Sequence, residues 1–267
     1  MALKRIEKEK KEQYQQLSQP IKEEIKSLEK KIQEIEVSSL KNNKIGKYKF
    51  FLVANLYTDI AISYIKMNRL SMHIMDLKQD EILENARKAL YNAIANLEKL
   101  VGSTIDEDLN DVSERLKDTH QMTPYRKLNL FKKIEYTLKI LSEELEGGKW
   151  KYKLLEMFSK FAVVVKNSIN FRELTSMDPI NPNYRYYNEL VAYAKDLLRK
   201  SADEYREKYE ISGHEVPDMR KAQEFLKAIL RICNVLSQYD EAKEVKKIIE
   251  TWNKKMEEDL KIKEKRK

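Results

Sequence analysis

Ile21, Ile25, Leu28, Ile32 and Ile35 recur at steps of 4, 3, 4 and 3, with lysine and glutamate filling most positions between them. That is the narrow apolar seam of an amphipathic helix, too thin to build a core and obliged to lie against another helix. Pro20 is expected to kink this segment or to restart the helix. The pattern then changes: from Phe50 to Met67 the chain is apolar almost throughout, broken by Asn55, Asp59 and Ser63. An aspartate in mid-span is costly in a bilayer, so the run predicts a helix over 47–75, buried on most sides in a protein core.

The same periodicity continues downstream. Ile82, Leu83, Ala86, Leu90, Ile94 and Leu97 share one face of a helix over 80–101, which Gly102 closes. A short acidic helix through Leu116 follows, with Ser103 or Thr104 as its cap. Thr123-Pro124 reads as a cap followed by proline at the first helical position. The helix it opens carries Leu128, Ile134, Leu138 and Leu141 and stops at Gly147-Gly148. Trp150, Leu154, Phe158, Phe161, Val165 and Ile169 lie along a single helix over 149–175. Asp178-Pro179 and Asn181-Pro182 break the chain. Helices over 183–211, from Val216-Pro217-Asp218 to 237, and from Asp240 onward complete the chain.

The expected fold is therefore all-α: an elongated, irregular stack of about nine long antiparallel helices with an extended charged helix at the N-terminus. Asn42-Asn43 and the two Asx-Pro breaks suggest three regions: the charged helix over 1–45, a helical bundle over 46–177, and C-terminal helical hairpins with a basic tail over 178–267. Only five glycines and five prolines are present, too few for a chain rich in loops or sheet. No small-residue signature recurs at the spacing of a tetratricopeptide, ankyrin or HEAT array.

Charge changes the picture little. The net +8 is the difference of 52 basic and 44 acidic residues, a mixed surface without a single-sign field. Only the ends lean basic, as in Lys261 to Lys267, and solvated helix ends explain them better than nucleic-acid binding does. The sequence beginning MALKRIEKEKKEQ lacks the apolar stretch of a signal peptide, so a periplasmic location requires the chain to be a mature form. The lone Cys233 sits inside an apolar pattern and reads as a small buried hydrophobe.

Candidate chemistry is sparse, and the sequence nominates no catalytic residue, no cofactor and no metal site. Asp106, Asp108 and Asn110 have the first spacings of a calcium loop, but Asp111 stands where its glycine belongs and Lys117 where its bidentate glutamate belongs. His73 and Asp76 share a helix face without a second such pair, which disfavours a di-iron bundle. Phosphate-binding loops and His-Glu-x-x-His are absent from the sequence. The most distinctive segment is DPINPNYRYYNEL at 178–190. Adjacent tyrosines point about 100° apart on a helix, so Tyr184, Tyr186 and Tyr187 cannot all face one core. With Arg185 they are the candidate protein-interaction residues, since tyrosine and arginine dominate binding hot spots.

The charged N-terminal helix, KYKFFLVANLYTDIAISYIKMNRL at 47–70 and DPINPNYRYYNELVAYAKDLL at 178–198 together resemble the flagellar-coiling protein A family of spirochaetes. That resemblance implies a non-enzymatic, all-helical protein of the periplasm that coats one side of the flagellar filament and helps shape its curvature. Its partners would be other filament and sheath proteins, in a higher-order lattice. The alternative is a cytoplasmic helical adaptor that takes a protein or peptide in a groove.

Overall fold

A computed structural model describes residues 2–41, 46–145 and 148–265. Among these the chain forms ten α-helices and a short 3-10 turn, Gly46–Tyr48, and no strand. The helices are α1 (Ala2–Lys41), α2 (Lys49–Met75), α3 (Asp80–Val101), α4 (Leu109–Leu116), α5 (Pro124–Glu144), α6 (Gly148–Asn167), α7 (Phe171–Thr175), α8 (Pro182–Ile211), α9 (Val216–Val235) and α10 (Tyr239–Lys265). The all-α expectation holds. The turns expected at Asn42-Asn43 and Gly147, and the last two residues of the basic tail, lie outside the described residues.

The expected helix boundaries are corrected in four places. Pro20 does not restart the first helix, which runs as one element through it. Pro20 and Gln16, four residues before it, are both exposed, so the carbonyl that loses its partner can turn to water. The segment expected as one helix over 149–175 is two. The chain leaves the helix after Asn167, and the Asn170 side chain accepts from the Glu173 amide at 3.2 Å to start α7. α4 is capped by Asp108, whose Oδ1 accepts from the Asn110 amide at 2.7 Å, and not by Ser103 or Thr104. α10 begins at Tyr239, which puts Asp240 inside its first turn.

The chain packs as two units. Unit 1 comprises Met1–Leu100 and Asp118–Tyr152, and unit 2 comprises Val101–Lys117 and Lys153–Lys267. In unit 1, α1 lies along α2 and buries Tyr14, Ile25 and Ile32. This is the neighbour its thin seam required. α2 is buried on several sides, with Phe51, Val53, Ala54, Ile60, Ala61 and Ile65 all inside. Its polar residues are satisfied. Thr58 Oγ1 donates to the Ala54 carbonyl at 2.8 Å, and Lys133 of α5 donates to Asn55 Oδ1 at 2.8 Å and pairs with Asp59 at 2.7 Å. No described helix is long and apolar enough to cross a membrane.

In unit 2 the hairpin α8–α9 and the hairpin α9–α10 are joined by short turns, which makes neighbours antiparallel. Leu190, Ala194 and Leu198 of α8 bury against a core that includes Phe225, Leu226 and Ile229 of α9. Gly213 and His214, both at positive φ, let the chain reverse after α8. Cys233 is fully buried in this core, and burial pushes its thiol up from the ordinary value. Thiolate is the reactive form, so a disulfide thiol reagent should leave Cys233 unmodified in the native protein and modify it fully once the unit is unfolded. Rapid modification without denaturant would contradict this packing.

Candidate functional site

The tyrosine-rich segment forms a corner of unit 2, where the turn after α7 meets the start of α8. The backbone of this corner is fixed by its own side chains. Asp178 Oδ1 accepts from the Ile180 amide at 2.8 Å, and the Asn181 amide donates to the Asp178 carbonyl at 2.9 Å. Asn181 then caps α8, its Oδ1 accepting from the Asn183 amide at 2.9 Å, and Pro182 opens the helix. Bonds of this kind fix the backbone path of the turn without help from a core. Ile180, which it presents, is 89 % exposed.

The four candidate residues divide. Tyr187 is buried, and it is therefore removed from the expected exposed group. It lies on the stripe that continues through Leu190, Val191 and Ala194, at spacings of 3, 4 and 7 residues, so the core of unit 2 claims it. Its hydroxyl donates to Glu173 Oε2 at 2.8 Å, tying α8 to α7, and burial beside that carboxylate raises the phenol well above its ordinary value. Tyr184 and Tyr186 are half-buried, their rings neither submerged nor free in solvent. Arg185 is exposed and pairs with Glu189 one turn on, at 2.9 Å. The surface left for a partner is Ile180, Tyr184, Arg185 and Tyr186.

Tyr187→Phe should lower the stability of unit 2 by only about 1 kcal/mol, because Glu173 is exposed and can rehydrate once its donor is gone. Denaturant unfolding of the two proteins checks this. A loss several times larger would mean that Glu173 is held away from water.

The second polar cluster was not legible in the sequence. Asp259 of α10 is buried, and it accepts from the Tyr209 hydroxyl at 2.7 Å and from Lys255 at 2.6 Å. The Nε2 of His214 is 3.9 Å from the same carboxylate, and the imidazole meets the Tyr209 ring edge-on at 5.0 Å. Burial favours the neutral Asp259 acid, but the two hydrogen bonds and the Lys255 and His214 charges outweigh it and hold the carboxyl below its usual value. Lys255 pairs with Asp259 within α10, and the Tyr209 hydroxyl reaches the same carboxylate from α8, which makes the cluster a clasp between the α8 end and α10.

The acidic spacing at 106–110 is likewise absorbed by the fold. Asp108 serves as the α4 cap, and Asp106 pairs with Arg231. His73 is exposed in the last turn of α2, and Asp76 closes that helix at positive φ.

A family model matches the chain over residues 10–260. The chain belongs to the TP0443 family. The match spans both units and nearly all the described residues. The TP0443 family is a Treponema-type family, in keeping with a spirochaete protein. No curated protein matches the chain.

Proposed function

We propose that this TP0443-family protein is a non-catalytic structural subunit of the periplasmic flagellar filament coat of a spirochaete. In this account it docks on other coat proteins through the Ile180–Tyr186 corner and helps to set filament curvature. The observation that carries the proposal is that corner: a nearly fully exposed isoleucine beside two half-buried tyrosines and an arginine, on backbone fixed by Asp178 and Asn181. A partner that docks here need not order the backbone of the turn, and tyrosine and arginine are the residues that most often anchor such contacts. The resemblance to flagellar-coiling proteins and the spirochaete-type family supply the filament as the setting.

Tyr184→Ala with Tyr186→Ala tests it. Both rings are partly solvated, so folding should change little. Recovery of coat proteins in a cross-linked pull-down should fall on the order of tenfold, about 1.4 kcal/mol. Undiminished recovery would refute the corner as the docking surface.

One observation favours the adaptor reading. Unit 1 carries a groove of about 310 Å³ between α2 and α5, with Phe51, Leu52, Met122 and Leu130 along it and Arg126 and Lys133 at its polar side. An amphipathic helix or peptide with acidic flanks suits such a groove. Phe51, Met122 and Leu130 are themselves buried, so half-buried Leu52→Asp and exposed Arg126→Glu are the substitutions that would block it. Loss of a single defined client in those variants, with filament proteins unaffected, would support the adaptor and count against the coat.

A further inference from the structure

Unit 2 contains a cavity of about 170 Å³ beside the loop that joins α3 to α4. Its apolar wall is made by Leu109, Phe171, Ile232 and Val235. Lys166 of α6 also lines it and is only 2 % exposed. The ammonium donates to the Ile105 carbonyl at 3.0 Å, and among the described residues it has no ion pair. That carbonyl also accepts from Arg231 at 3.1 Å.

A buried lysine is ordinarily neutralised by a carboxylate in contact with it. Here the nearby carboxylates are engaged elsewhere. Asp106 pairs with Arg231, and Glu107 pairs with Arg115 and accepts from Thr104 at 2.9 Å. Asp108 accepts from the first amides of α4. Gly102 is held at a positive φ, and a side chain there would strike the Glu107 carboxylate, so the loop is closed tightly around these pairs.

We propose that this cavity is a binding site for a small neutral carbonyl compound, a short-chain aldehyde, which Lys166 captures reversibly as an imine. The geometry selects that ligand class. An anion would face the three carboxylates that line the cavity along with Lys166 and Arg231, whereas a neutral carbonyl meets no such repulsion. The volume and the apolar wall suit a chain of a few carbons. Asp106, whose side chain is 66 % exposed, lies on the cavity lining and opens it to the surface.

The electrostatics assist. Burial, and next the Arg231 charge, lower the Lys166 amine to about 8, with Arg115 adding to the effect and Asp106 and Glu107 opposing it. Lysines made nucleophilic in proteins are desolvated or set beside another cation in this way. In the reaction the amine lone pair attacks the carbonyl carbon, and the carbon–oxygen π pair moves to oxygen, which takes a proton as nitrogen loses one. The carbinolamine then expels its hydroxyl as water with the second nitrogen proton, leaving a carbon–nitrogen double bond. No oxidant or reductant is consumed, and hydrolysis reverses the step.

Reductive trapping tests this on the unaltered protein. Native protein is treated with dilute butanal and cyanoborohydride at pH 7, where hydride reaches the imine carbon and fixes a butyl group on nitrogen. Peptide mapping then compares all lysines. Lys166 should be labelled on the order of tenfold faster than the typical exposed lysine, given its much larger neutral fraction. Naphthaldehyde, too large for the cavity, should show no such preference. Lys166→Met, with its native circular dichroism checked, should lose the fast phase and keep the slow background. Labelling of Lys166 no faster than that of exposed lysines would overturn the proposal, as would equal preference for naphthaldehyde.

Discussion

Asp259→Ala is expected to destabilise unit 2 by about 3 kcal/mol. The carboxylate is buried, and it is the acceptor for both Tyr209 and Lys255. Removing it strands the Tyr209 hydroxyl, on a residue that is fully buried and has no water to turn to. Each unsatisfied buried polar group costs about 1–3 kcal/mol, and the loss of the α8–α10 tie adds to it. Tyr209→Phe removes the donor and leaves Asp259 still paired with Lys255, so its cost should stay near 1 kcal/mol. The Asp259 carboxyl is held below its unfolded value, so its contribution is fully present above about pH 4 and is lost as pH falls through the lowered native value. The gap between wild type and Asp259→Ala should therefore narrow in acid. Urea unfolding at pH 7 and at pH 3 measures both; a gap that does not change with pH would contradict the clasp.

Lys166→Met is expected to stabilise the protein by about 2 kcal/mol at pH 7. The amine falls from 10.5 to about 8 on folding. At about 1.4 kcal/mol per unit, the charged lysine costs the native state about 3 kcal/mol at pH values below 8. The substitution also removes the hydrogen bond to Ile105, worth about 1 kcal/mol, although Arg231 remains bonded to that carbonyl. Methionine keeps the aliphatic stem against the apolar wall. A lysine with a lowered native value binds fewer protons folded than unfolded between pH 8 and 10.5, so wild-type stability rises relative to the variant across that window. The advantage of the variant should be constant below pH 8, vanish at about pH 10 and give way to a small deficit above it. Destabilisation at pH 7 would show that the amine is better solvated than its burial implies.

Much of the fold was legible because its signals are local. Thr123-Pro124 and Asn181-Pro182 start α5 and α8 where cap-then-proline chemistry puts them. The break between α6 and α7 was hidden because Ile169 and Phe171 carry the apolar content through it, while the Asn170 cap that ends the ambiguity is a single residue. Asp108 outcompeted Ser103 and Thr104 because Asn167 donates to the Gly102 and Thr104 carbonyls and fixes that stretch as loop. The tyrosine corner was half legible: adjacent rings do diverge, but Tyr187 was expected in the exposed group and is buried, because it continues the stripe of Leu190 and Ala194 into the core.

The Asp259 clasp and the Lys166 cavity were not legible. Tyr209 and Asp259 are 50 residues apart, and nothing local marks them as partners. Lys166 follows Val163, Val164 and Val165, a signal in itself, but a lysine at the edge of an apolar run usually stretches its amine to water.

The central claim is that the chain is a filament-coat subunit docking through the Ile180–Tyr186 corner. Isolation of periplasmic filaments from the source cell, followed by quantification of the chain on them, tests that claim most directly. The account predicts that the wild-type chain co-purifies with filaments and that the Tyr184→Ala, Tyr186→Ala variant, expressed to the same level, is largely lost from them. Recovery of the wild-type chain only as a monomer in the cytosolic fraction would contradict it.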